Sequence, residues 1–205
     1  MAKLDIQAFK GVRDLVIAKM TVGTDEQGNV TETYGEVMPL AGVQGITLDV
    51  NESSATHYFD NMGALVIASE GDDSLSLTVS RTALETRALI EGRTYDATKK
   101  ALLATPQDKP YFALGFKAKV TDGTEEYYWF YKGKFTAGSK EFATQDDGTD
   151  VNTMSYTYTA IYSGVEYAYA EGKKSAVKYL VVDSDSDVAG TYFDTVTTPD
   201  KLVTA

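Results

Sequence analysis

The chain has 205 residues, a formal net charge of −11, one His and no Cys. A strongly acidic chain without clustered cations is a poor adhesive for duplex nucleic acid, whose phosphates are held by Lys and Arg. The missing cysteines exclude a disulfide framework and thiol chemistry, and abundant Thr, Ser, Tyr and Val point to β structure.

Residues 1–10 read as an N-terminal arm, without the 7–15-residue apolar region of a signal peptide. The longest apolar runs fall well short of the roughly 20 residues that span a bilayer, so no membrane partner is expected. Val12 to Met20 reads as the first strand, 24–33 as a polar loop, and Tyr34 to Leu40 as extended chain with Pro39 marking an end or an edge. Val43 to Val50 reads as a strand with Ile46, Leu48 and Val50 on one face and Thr47 and Asp49 on the other. Asn51 to Met62 reads as a long polar loop, followed by a short apolar strand from Met62 to Ser69.

Ser74 to Ser80 alternates strictly, with Leu75, Leu77 and Val79 inward and Ser74, Ser76 and Thr78 outward. Thr82 and Glu85 have capping-box spacing, and Gly92 is a good stop, so one helix is predicted over 82–91. Residues 94–109 form a connector in which Ala101 to Leu103 reads as a short strand or a turn.

The clearest strand pattern lies in 110–163. Asp122-Gly123 is a two-residue hairpin signal. That loop sets Phe116 opposite Trp129, Leu114 opposite Tyr131 and Lys119 opposite Glu126. A third strand, 151–162, alternates large residues (Met154, Tyr156, Tyr158) with small hydroxyls (Thr153, Ser155, Thr157). This reads as a half-buried strand, or as a hydroxyl-lined surface facing a channel or partner. After an acidic loop over 138–150, strands are expected at 166–170 and 176–182, and 184–205 reads as a C-terminal arm. The whole is one all-β domain over 11–183, an antiparallel β-sandwich or barrel with one flanking helix.

Catalysis finds little support. His57 has no Cys to activate and no marked nucleophilic Ser beside it, and the paired carboxylates sit at turns. Asp183, Asp185 and Asp187 open like a calcium loop, but Val188 stands where the turn needs Gly, so no metal or cofactor is expected. The distribution of charge says more. Outward positions of the strands at 46–50, 74–80 and 151–162 carry no Lys or Arg, whereas the central hairpin turns out Lys117, Lys119, Lys132 and Lys134. If the first three strands share a sheet, its face holds only small neutral or acidic groups, and the cations belong to another sheet.

From Tyr34-Gly-Glu-Val-Met-Pro-Leu-Ala-Gly42, through the Ala55–Asn61 loop, Ser74–Ser80, Pro110–Phe116 and Tyr127–Phe135, to Asp150–Thr157, the chain resembles the major tail (tail tube) proteins of long-tailed, non-contractile bacteriophages. The resemblance spans roughly residues 10–163. It implies a β-sandwich of the tail-tube type that forms stacked homohexameric rings, with DNA sliding through the bore unbound. It also implies a tape measure protein, a tail terminator and a distal tail protein as partners, and a place in the virion tail after assembly in the host cytoplasm. The 51–62 loop then corresponds to the loop that bridges rings, with Ser53, His57, Tyr58, Phe59, Asp60 and Asn61 as contacts. Thr47, Asp49, Ser74, Ser76, Thr78, Thr153, Ser155 and Thr157 are the expected lumen lining. The alternative is a carbohydrate-binding or adhesive β-sandwich module that uses exposed loop aromatics.

Overall fold

A computed structural model describes residues 7–59, 62–140, 142 and 152–202. They form an all-β fold with antiparallel sheets and one α-helix. In chain order the strands are β1 (Phe9–Thr24), β2 (Val30–Pro39), β3 (Val43–Asp49), β4 (Glu52–Phe59), β5 (Met62–Glu70) and β6 (Asp73–Val79). Helix α1 (Leu84–Glu91) follows, then β7 (Thr94–Asp96), β8 (Ala101–Leu103), β9 (Tyr111–Val120), β10 (Glu125–Lys140) and β11 (Met154–Ile161). The described residues finish with β12 (Glu166–Ala170), β13 (Lys173–Ala176), β14 (Tyr179–Asp183) and two short 3-10 turns. No helix among the described residues is long and apolar enough to cross a membrane.

The main sheet runs β2-β1-β9-β10-β11-β6-β3, with β14 also paired to β10. β10 is its hinge. Glu125–Phe130 pairs with β9 on one side and β14 on the other, whereas 132–140 pairs with β11. The register with β9 shifts between Phe130 and Gly133. The bulge reverses which alternate residues point inward, so Tyr128 and Phe130 face the inner core before it and Phe135 after it. The sheet curls until β3 packs near β1, and in the link before β3 the Leu40 N–H donates to the Leu15 carbonyl at 3.0 Å.

Two apolar cores result. The inner one gathers Ile17, Leu75, Leu77, Phe112, Leu114, Phe130, Phe135, Tyr156 and Tyr158, with Ile90 from α1. The second lies on the opposite face of the sheet, where Trp129, Tyr131 and Ala113 are covered by Tyr192 and Val196. The Trp129 indole donates to the Tyr192 carbonyl at 2.9 Å, and the Tyr131 hydroxyl donates to the Thr197 carbonyl at 2.8 Å. The stretch expected as a C-terminal arm is therefore, over 184–202, a cover folded onto the sheet.

The central hairpin corrects the expected register. Its loop has three residues, Thr121 to Gly123, and the Val120 N–H donates to the Thr124 carbonyl at 2.9 Å. Gly123 takes the positive φ of +101° that such loops need at their third position. Asp122 Oδ1 accepts from the Thr124 N–H and hydroxyl at 2.9 and 2.7 Å, which holds the longer loop. The one-residue change moves every partner. Lys119 faces Glu125, Phe116 stacks on Tyr128 at 4.8 Å, and Trp129 faces Gly115 on the other side of the sheet. A Cβ at Gly115 would sit 2.9 Å from the indole, so glycine is what lets Trp129 lie flat there.

The helix also begins later than its capping pattern indicates. Its N-cap is Ala83, and no side-chain cap bond forms. The Thr82 hydroxyl turns into the core beside the Tyr156 hydroxyl, a position in which burial pushes the tyrosine's pKa up. Gly92 ends the helix as expected, with the Arg93 N–H donating to the Ala88 carbonyl at 2.8 Å.

Candidate functional site

The strands expected to carry the lining positions are neighbours in one sheet. β3, β6, β11 and the second half of β10 lie side by side. Their inward residues fill the inner core, so their alternate residues form one outward wall. Cross-strand register sets these residues in rows. Thr47, Ser76, Thr157 and Thr136 make one row, and Asp49, Ser74, Thr159 and Lys134 make the next. Ser155 faces Thr78 in a third row, and Thr153 stands just before β11 begins. All eight expected lining residues are exposed or half-buried.

The expectation that cations occupy a separate sheet is not met. Lys132 and Lys134 extend the same wall, because β10 carries the end of the wall as well as the hairpin. Lys132 is neutralised by the fully buried Glu32 carboxylate at 2.8 Å. Lys134 is exposed and leans over the Tyr111 ring at 4.4 Å without an ion-pair partner among the described residues. Lys117 lies elsewhere, paired with Asp14 at 2.8 Å beside the C-terminal cover.

The segment expected as a polar loop is the first half of a two-stranded ribbon, β4–β5, which among the described residues pairs with no other sheet. Ser53 bonds Ser69 across it at 2.7 Å, and His57 faces Leu65. Tyr58 is 68% exposed, and Phe59 pairs with Met62 at the last described position of β4. Asp60 and Asn61 lie outside the described residues. The apolar residues that sequence reasoning missed stand on β5. Met62, Leu65, Val66 and Ile67 are all exposed, and Leu65 and Ile67 alternate with Val66, so both faces of the ribbon are apolar. The signal was present in the unbroken apolar run at 64–68, which reads equally as a buried strand.

The ribbon has a defined root. The Gly71 N–H donates to the Asn51 carbonyl at 2.7 Å, and the Lys178 ammonium donates to the Gly71 carbonyl and to Asp73 Oδ1, both at 2.9 Å. Lys178 and Asp73 are both buried, so each neutralises a charge that could not stand alone. The Tyr162 hydroxyl donates to Glu70, and the carboxylate's acceptance of that proton holds the hydroxyl's pKa above its ordinary value.

Beside the wall, an apolar cleft of about 400 Å³ opens between β1 and β3, lined by Phe9, Val12, Ile46, Leu48, Phe116 and Tyr128. Among the described residues no group of three or more His, Cys, Asp or Glu assembles into a metal site. Asp183 Oδ1 accepts from the Asp185 N–H at 3.0 Å, making a local turn of the calcium-like stretch. What the molecule offers is surface of three kinds: a hydroxyl wall, an apolar ribbon and open sheet edges. No family model matches the chain, and no curated protein matches it.

Proposed function

We propose that this chain is a structural, self-assembling subunit whose copies join edge to edge into hexameric rings, and whose rings stack into the hollow tail tube of a long-tailed bacteriophage. The observation that carries the reading is the four-stranded wall of β3, β6, β11 and late β10. Each strand is antiparallel to the next, so the two outermost run in opposite directions. Copies placed head to tail therefore meet with β3 of one antiparallel to β10 of the next, so the junction continues the antiparallel pattern of the wall. Among the described residues no strand pairs with the outer edge of β3, or with that side of β10 beyond Gly133. Open edges are a liability in a monomer, and a closed ring removes them.

Lining the bore is the role assigned to Thr47, Asp49, Ser74, Ser76, Thr78, Thr153, Ser155 and Thr157. Small hydroxyls and acids offer a sliding phosphate backbone no ion pairs, and the net charge of −11 on each copy adds repulsion. The ribbon bridges to the next ring through Tyr58 and the β5 side chains, which supports stacking because a two-stranded ribbon with apolar faces is marginal alone in water. The resemblance of the sequence to tail tube proteins brings the tape measure, terminator and distal tail proteins as partners and the virion tail as location. Electron microscopy of the purified protein tests the proposal. Rings or tubes are expected; dispersed monomers that bind glycans would favour the adhesive module instead.

A further inference from the structure

We infer that Asp49 of one copy forms an ion pair with Lys134 of the next, and that this pair sets the register between subunits. The inference rests on the edge-to-edge ring proposed above. Asp49 and Lys134 occupy opposite ends of a single cross-strand row, Asp49–Ser74–Thr159–Lys134. They are the charged residues of the wall strands that point outward and have no ion-pair partner among the described residues, since Lys132 is taken by Glu32. Both are exposed.

Closing a ring brings the β3 end of each row toward the β10 end of a row in the next copy. A sheet of Thr and Ser rows specifies register weakly, because sliding by two residues exchanges one hydroxyl for another. One acid at one edge and one cation at the other break that degeneracy. Opposite charges across adjacent strands attract, and any register that brings like charges together is penalised. Lys134 reaches from beside Tyr111, at the point where β9 begins and β10, still paired with β11, loses β9 on its other side. Antiparallel pairing of β3 from the next copy along β10 would set Asp49 opposite Lys134 or on its diagonal. The pair has a second consequence. It neutralises a cation on the wall, which would otherwise offer a phosphate a place to stop.

Charge reversal tests this. Asp49→Lys and Lys134→Asp, made singly, should each cut the sedimentable assembled fraction more than tenfold with unchanged far-ultraviolet circular dichroism. The double variant, Asp49→Lys with Lys134→Asp, should recover assembly to within about twofold of wild type. The milder Asp49→Asn and Lys134→Gln should assemble at intermediate levels, with wild-type assembly the more salt-sensitive. Wild-type rings unaffected by the single reversals, or a folded double variant that stays unassembled, would overturn the pairing and leave the ring reading standing. Wild-type chains that remain monomeric at every concentration would overturn both.

Discussion

Trp129 is wholly buried between Gly115 and Phe193, and its indole N–H is spent on the Tyr192 carbonyl. Trp129→Ala removes that bond and leaves a cavity, at an expected cost of about 3–5 kcal/mol, measured as a shift in the denaturation midpoint. The neighbouring hairpin turn shows how one residue decides which core the tryptophan joins. Asp-Gly serves a two-residue or a three-residue loop, and the bonds from Thr124 to Asp122, with the positive φ of Gly123, go with the longer one. Those bonds follow from the folded turn, so the local pattern located the hairpin but set its register one residue away. Glu91 contributes to the pH dependence, as do Asp25, Asp122 and Glu125, whose carboxyls are also held low. Burial pushes its carboxyl up, but Lys140, Arg87 and Arg93 together outweigh this and hold it below the ordinary carboxylate range. A depressed pKa in the folded state contributes stability that is full above the unfolded value and is lost as pH falls through the folded one. Stability should therefore fall as pH drops below about 4.3, the ordinary value for Glu. Glu91→Gln should flatten that slope while lowering stability at neutral pH. A slope identical to wild type would rule Glu91 out as a contributor.

At the scale of elements, the strands with period-two patterning were legible. Ser74–Val79 and Met154–Ala160 alternate in the sequence and alternate in burial. The hydroxyl positions were legible for the same reason, since whatever faces away from a patterned core is known once the core face is known. Two elements were obscured. The ribbon's first strand, Glu52–Phe59, is polar and lacks a core to alternate against, so it carries no period to read. The C-terminal cover holds its apolar residues, Tyr192, Phe193 and Val196, at irregular spacing in turns between two short 3-10 segments, which resembles an arm in sequence. Both elements are separable by experiment. Because Asn51 and Gly71 are already bonded at the root, replacing residues 52–70 by a short turn should change the unfolding free energy by about 0.5 kcal/mol or less, the range of surface changes, as read from denaturant unfolding. The same deletant should form single rings that do not stack; tubes of normal length from it would remove the ribbon from the contact between rings. Truncation after Asp183 uncovers Trp129 and Tyr131, and it should yield insoluble protein or at least a transition lowered by several kcal/mol.

Across the whole molecule, the sheet does two tasks with one long strand. The first half of β10 is buried on both faces, under the inner core and the C-terminal cover, and gives rigidity. Past the bulge at 131–133, the second half leaves β9, changes which side chains face inward and becomes one margin of the hydroxyl wall. Four strands, an even number, give that wall margins of opposite direction, and on this the edge-to-edge reading depends. The most direct test is a cryo-electron microscopy reconstruction of the assembled protein. The expected result is a hollow tube in which Thr47, Ser76 and Thr157 point at the central axis and β3 of each copy pairs with β10 of the next. A tube with those side chains on its outer wall, or copies joined through surfaces that leave both edges open, would contradict it.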